Sequence, residues 1–254
     1  MNDLSLEDLW AADPPGPRPH FDLACLDGLP EPAQRYLSHA IAPGSPLASA
    51  ARLKMHGEIK LGHEWHAFDA EQVLRAHRGF VWRAHTKLLG LPVSGFDRLV
   101  DGEGAMRWKL LGLVPVVTAG GPDVTRSAIG RAQLESVWLP SSLIGAGVTW
   151  SAPDDRHLGV ELGVADDDGH IELEIDERGA LRSAWTRRWG NPEEAAGGPP
   201  GFHEHPFGVL ATEQRTFGDV TIPSALRVGW YFGTPRFEPE GEFFRVTVDD
   251  VQLR

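Results

Sequence analysis

Leu53-Lys54-Met55-His56-Gly57-Glu58-Ile59-Lys60-Leu61 is the stretch whose reading decides the fold. Leu53, Met55, Ile59 and Leu61, with Gly57 among them, alternate with Lys54, His56, Glu58 and Lys60. Side chains two apart lie on one face of an extended chain, so the pattern predicts a strand with one buried and one wet face. The same rhythm continues through residues 65–74 and 79–88. In the latter, Phe80, Trp82, Ala84 and Thr86 share one face, and Arg83, His85 and Lys87 the other. Residues 96–100 run into Asp101-Gly102-Glu103-Gly104, a hairpin turn signal, and 105–111 return with Met106 and Trp108 on one face. Strand patterns resume at 148–152, 157–164, 170–176, 181–189, 209–217, 221–232 and 243–253.

Helical signals are few. Residues 4–10 predict a short helix, and Asp13-Pro14-Pro15-Gly16-Pro17-Arg18-Pro19 an extended arm. Residues 29–41 predict a helix with Pro32 in its first turn and Ala33, Tyr36, Leu37 and Ala40 as its apolar stripe. After Gly120-Gly121-Pro122, Asp123 is a candidate N-cap for an internal helix over about 124–137. Val124, Ala128 and Ala132 are expected inward, Trp138 is expected to anchor the end, and Arg131 and Glu135 can pair on the surface. The expected architecture is mainly β (α+β): one large curved antiparallel sheet or half-barrel of about ten strands. The helix packs against its concave face, and a short helical region precedes it. The expected division is an N-terminal arm, 1–28, and a single curved-sheet domain, 29–254.

Several stretches resemble an uncharacterised bacterial family known only as a domain of unknown function. They are Arg98-Leu99-Val100-Asp101-Gly102-Glu103-Gly104, Leu110-Leu111-Gly112-Leu113-Val114-Pro115 and Glu135-Ser136-Val137-Trp138-Leu139-Pro140. The tail, with Phe217-Gly218, Ile222-Pro223, Gly229-Trp230 and Glu242-Phe243-Phe244, resembles the same family. The resemblance spans roughly 29 to 254 and brings no catalytic residues with it. It implies a build similar to lipoprotein-carrier folds, in which a curved sheet wraps an apolar ligand beneath helices. Such likeness of fold does not by itself fix function.

A net charge of −12 argues against a nucleic-acid partner and against docking on an anionic membrane. Cys25 is the lone cysteine, so no intrachain disulfide forms; with an acidic, signal-free N-terminus this predicts a cytoplasmic protein. Neither glycine cluster, Gly120-Gly121 nor Gly197-Gly198, has dinucleotide or P-loop spacing, so no cofactor is expected. His63 and His66, and His203 and His205, are fragments of metal-ligand patterns beside turn residues, and no metal is expected.

Nine tryptophans against two tyrosines is a skewed count. Trp82, Trp108, Trp185 and Trp230 fall where alternation marks an apolar face, which suits a core or a pocket for a planar or apolar ligand. Leu181, Ser183, Trp185, Arg187 and Trp189 share one phase, so Arg187 is expected between two indoles on an inner face. A guanidinium there must be paired or bind an anion. Arg126 and Trp138 are further candidates on the helix. Two functions follow. The first is binding of a small, largely apolar or aromatic organic ligand in the concavity by Trp82, Trp108, Arg126, Trp138, Trp185, Trp189 and Trp230. The alternative is a cofactor-free acid/base enzyme (isomerase, cyclase or hydrolase) using His85, Arg187 and Glu135.

Overall fold

In the computed structural model the alternating stretch forms β1 (Ala50–Leu61), at the middle of the sheet. The structure describes residues 5–12, 18–165, 167–195, 198 and 200–254. On one side of β1 follow β2 (Glu64–Arg75), β3 (Gly79–Leu88), β4 (Leu91–Val100), β5 (Glu103–Leu110) and β6 (Val114–Gly120). On the other side lies β13 (Glu242–Leu253), then β12 (Val220–Trp230), β11 (His203–Phe217), β10 (Leu181–Gly190), β9 (Asp167–Ile175), β8 (His157–Val164) and β7 (Val148–Ser151). Every neighbouring pair is antiparallel, so the described residues form one curved half-barrel of 13 strands. Short turns join β1 through β6, longer connections at 191–202 and 231–241 join β10 to β11 and β12 to β13, and β1 meets β13 with Ile59 opposite Phe244. The sheet exceeds the expected ten strands chiefly through β6, an edge strand. Apart from the partly buried Ala119 its residues are exposed, so it carries no alternation to read.

The concave face holds the main core, with Leu53, Phe80, Trp82, Leu99, Phe207 and Val209 all buried. Across it runs α3 (Pro122–Leu134), which touches β3, β4 and β5 of one wing and β8, β9 and β10 of the other. Ala128, Ile129 and Ala132 face the core and Val124 is half-buried. A single-turn 3-10 segment, Glu135–Trp138, continues the helix. Trp138 is buried, and its indole N–H donates to the Pro223 carbonyl at 3.0 Å. The N-cap is Gly121, at φ 94°, which an L side chain rarely adopts. Asp123, expected as the cap, stands instead in the first turn and accepts from Trp189 Nε1 at 2.8 Å.

Of the stretch expected to be an arm, residues 1–4 and 13–17 lie outside the described residues, and two other parts of it pack. In α1 (Leu6–Ala11) Ser5 and Asp8 cap one another's backbone N–H groups. Leu6 and Leu9 bury against Val73, Val81 and Val100, a second small core on the outer face of the sheet. Phe21 and Leu26 join the main core, as do Ala33, Tyr36, Leu37 and Ala40 of α2 (Glu31–Ala40). Among the described residues no helix is long and apolar enough to cross a membrane.

Candidate functional site

The chemistry of the concave face is concentrated beneath α3. Gly130 is the point of closest approach: a Cβ there would sit 3.2 Å from Arg188 Cγ, so a small residue lets the helix lie directly on β10. The helix and the sheet leave little room between them. A cavity of about 30 Å³, bordered by Leu74, Gly79, Glu135, Ser136 and Leu162, holds water at most.

One end of the site is a closed ionic network. Arg131 donates through Nε to Glu135 Oε1 at 2.7 Å and through Nη1 to Asp97 Oδ2 at 3.2 Å. Its guanidinium lies over the Phe80 ring at 4.3 Å and the Trp82 ring at 5.3 Å. Gln72 Nε2 donates to Glu135 Oε2 at 2.6 Å, and Trp108 Nε1 to Asp97 Oδ1 at 2.9 Å. Burial pushes the Asp97 carboxyl above the usual carboxylate range, against the pull of Arg131, the Trp108 hydrogen bond and Arg188. Trp82 Nε1, Gln72 Oε1 and Ser136 Oγ are buried here with no hydrogen-bond partner among the described residues. A polar atom left in that state is costly, and a ligand can relieve it.

The other end is a cation without an ion-pair partner among the described residues. Arg188 donates through Nε only to the Ser127 carbonyl, at 3.0 Å, and its guanidinium lies 4.4 Å from the Phe207 ring and 5.0 Å from the Trp230 ring. Burial, reinforced by Arg131, pushes its pKa down to about 9, although Glu135 and Asp97 pull the other way. The group stays charged at neutral pH. Its cross-strand neighbour is His205. His205 Nε2 is buried 3.3 Å from Glu193 Oε2 in an orientation that makes no hydrogen bond. Burial is the largest influence on this imidazole and holds its pKa below the ordinary value despite Glu193; His203, Arg236 and Arg187 add to the depression. Trp230 and Tyr231 set their rings edge-on to it at 6.1 and 5.8 Å.

Four of the expected ligand-binding residues converge here: Trp82, Trp108, Trp138 and Trp230 all face the concave side. Glu135 does as well, and its pair with Arg131 is an interior one rather than the surface pair expected, with side chains 14% and 17% exposed. Arg187 does not. A β-bulge between Leu181 and Ser183 shifts the phase of β10, so Ser183 and Ala184 are both buried and the even-numbered residues beyond them turn inward. Arg188 therefore takes the inner place expected of Arg187. Arg187 itself is 62% exposed and pairs with Glu204 at 3.2 Å. Trp185 and Trp189 share its phase and are half-buried, and Trp189 reaches the first turn of α3 through Asp123. Arg126 is exposed, stacks over Trp189 at 4.1 Å and pairs with Glu204. His85 is exposed on the outer face of β3, so it has no access to the concavity.

Asp97, Arg188 and the buried Gln72 were absent from the sequence candidates. Asp97 carries a readable signal, since it shares the phase of Leu99; Arg188 carries none without the bulge. The rings of His203 and His205 come within 6.4 Å, but among the described residues no three His, Cys, Asp or Glu side chains group as a metal would need. Of the loop at 191–201, Pro192–Ala195 is a helical turn, and residues 196, 197 and 199 lie outside the described residues. A surface cleft of about 390 Å³ beside the β9–β10 hairpin is lined by Arg156, Asp176, Glu177 and Arg182. These pair with one another, Arg182 with Asp176 at 2.7 Å and Arg156 with Glu177 at 2.5 Å, which leaves little unmet demand for a ligand.

Residues 27–253 match a family described as "Family of unknown function (DUF6920)". No curated protein matches the chain. Among solved structures the chain is similar to a LolA superfamily protein from Nitrosomonas europaea. That protein is 9% identical, with 88% of this chain and 92% of that one covered and a TM-score of 0.44. A DUF1329 family protein from Desulfovibrio piger is also similar, at 9% identity, 81% and 86% coverage and a TM-score of 0.40.

Proposed function

The chain belongs to this family of unknown function, and we propose that its concave face binds a small, largely apolar organic acid beneath α3. Arg188 carries the proposal. It is a charged, half-buried guanidinium beneath α3, held by one backbone carbonyl and two aromatic rings. Its remaining N–H donors form a fork suited to a carboxylate or enolate. Phe207, Trp230 and the edge of His205 supply a surface for the apolar body of the ligand. The unpartnered Trp82 N–H offers a further donor at the opposite end.

The ligand enters by displacing α3. Beside Ile129, the stripe that α3 lays on the sheet has the small residues Ala128, Gly130 and Ala132, so its departure exposes less apolar surface than a leucine-faced helix would. Gly120 and Gly121 immediately before it supply backbone freedom for such a shift. Ligand affinity is then reduced by the fraction of molecules in the open form.

The test pairs native mass spectrometry of freshly purified protein with titration of anilinonaphthalene sulfonate, an apolar aromatic anion. The expected result is a co-purified acid, and probe binding that falls about tenfold or more in Arg188→Met, the loss of a charge-assisted contact. Probe affinity unchanged in a folded Arg188→Met would refute the reading. One observation favours the alternative of a cofactor-free acid/base enzyme: burial raises the Asp97 carboxyl above its usual range, the direction a general acid requires. Turnover of a bound acid that disappears in Asp97→Asn, with binding retained, would establish that second reading.

A further inference from the structure

Two hairpins on one wing carry almost the same sequence: Lys87-Leu88-Leu89-Gly90-Leu91-Pro92-Val93 and Lys109-Leu110-Leu111-Gly112-Leu113-Val114-Pro115. They sit side by side. Val93 pairs with Leu110, and Leu111 N–H donates to the Pro92 carbonyl at 2.8 Å. Their tips form one apolar crest. Leu89 is 90% exposed and Leu113 80%, with Leu88, Leu91, Leu111, Val114, Val116 and Val117 also exposed. Soluble surfaces rarely gather so many large apolar side chains in one place without a use.

The backbone at the tips adds to the case. Leu89 has φ 52° and Leu111 φ 55°, each followed by a glycine at positive φ. Turns of this kind favour Asn, Asp or Gly at the first position, because a branched apolar side chain is disfavoured in the left-handed region. Leucine here is costly for the fold and contributes nothing to the core, yet it stands at the same place in both turns.

The charge around the crest decides the partner. Within residues 83–96 and 105–120 the charged side chains are Arg83, Lys87, Arg107 and Lys109, with no Asp or Glu; of the acids between the two ranges Asp97 is half-buried, and Asp101 and Glu103 lie at the opposite end of these strands. This lies within a chain of net charge −12. The whole-chain charge argues against an anionic membrane, but screening confines electrostatics to about 10 Å, so the local patch governs a local contact. We propose that the paired hairpin tips dock the protein on an anionic lipid surface, with the leucines entering the interface and Lys87 and Lys109 meeting headgroup phosphates. A second copy of the chain fits less well. A symmetric contact through the crest would bring Lys87 and Lys109 against their counterparts, like charge on like charge.

Co-sedimentation with vesicles tests this in the full chain. Vesicles of equimolar phosphatidylcholine and phosphatidylglycerol should pull the protein down, and phosphatidylcholine alone much less. The double variant Leu89→Ser, Leu113→Ser changes only exposed side chains and should lower the partition coefficient about tenfold or more. A second variant, Lys87→Glu, Lys109→Glu, should abolish the preference for anionic vesicles. The same partition for parent and leucine variant would overturn the proposal. So would equal binding to neutral and anionic vesicles. Sedimentation equilibrium showing a dimer that the leucine substitutions dissolve, with no vesicle binding, would assign the crest to a second copy instead.

Discussion

Replacing Arg188 by Met should make the ligand-free protein more stable. Burial lowers the guanidinium pKa well below its ordinary range, to about 9, in the folded state. At about 1.4 kcal/mol per pH unit, holding the charge inside costs at most about 5 kcal/mol. Screening by the partly open surface of the side chain reduces this. Two opposing losses follow the substitution: the hydrogen bond to Ser127, about 1 kcal/mol, and the contacts over Phe207 and Trp230, about 1–2 kcal/mol together. Methionine keeps the unbranched stem and a sulfur that suits aromatic neighbours. The expected gain is about 1–3 kcal/mol, read as a higher urea midpoint with an unchanged slope. The pH dependence follows from the direction of the shift. The folded protein releases this proton before the unfolded chain does, so the penalty is complete below about 9 and fades as pH rises from there toward the ordinary guanidinium range. The gap between variant and parent should therefore shrink as the medium becomes alkaline. A loss of more than about 1 kcal/mol at neutral pH would refute the reasoning and make Arg188 a fastener of α3 through Ser127.

Trp138→Ala should cost about 3–5 kcal/mol by calorimetry, since the side chain is buried and bonds to Pro223; a cost below about 1 kcal/mol would make α3 peripheral to the fold. His205 is held below its ordinary pKa, so its contribution is present above about 6.5 and is lost as pH falls through that value. The parent should therefore lose up to about 1 kcal/mol more than His205→Gln between pH 7.5 and 5.5 in urea titrations, and parallel curves would assign no role to burial of the imidazole.

Where one face is buried and the other wet, the strands could be read directly, as at Leu53 to Leu61 and Ile171 to Ile175. β6 could not, because its two faces are almost equally exposed and no burial difference shapes its sequence. In β10 the alternation is real but interrupted. One extra residue between Leu181 and Ser183 exchanges inside for outside, so a reading that extends the period from Leu181 selects Arg187 and misses Arg188. Asp97 is legible in principle, two positions before the buried Leu99. That Arg131 and Glu135 point inward depends on which side of the helix meets the sheet. An i, i+4 pair looks the same on either side.

The pairing of β1 with β13 differs in kind from the other pairings in the sheet. Each of the others joins consecutive strands, most of them through a short turn that closes in microseconds. This one brings Ile59 to Phe244, across most of the chain, and must bear the loop entropy of everything between. The two wings are therefore natural cooperative units, each able to gather its strands in sequence before the other is complete. A lesion that weakens the seam would leave both wings locally ordered, with the edges of β1 and β13 open to pairing with other chains.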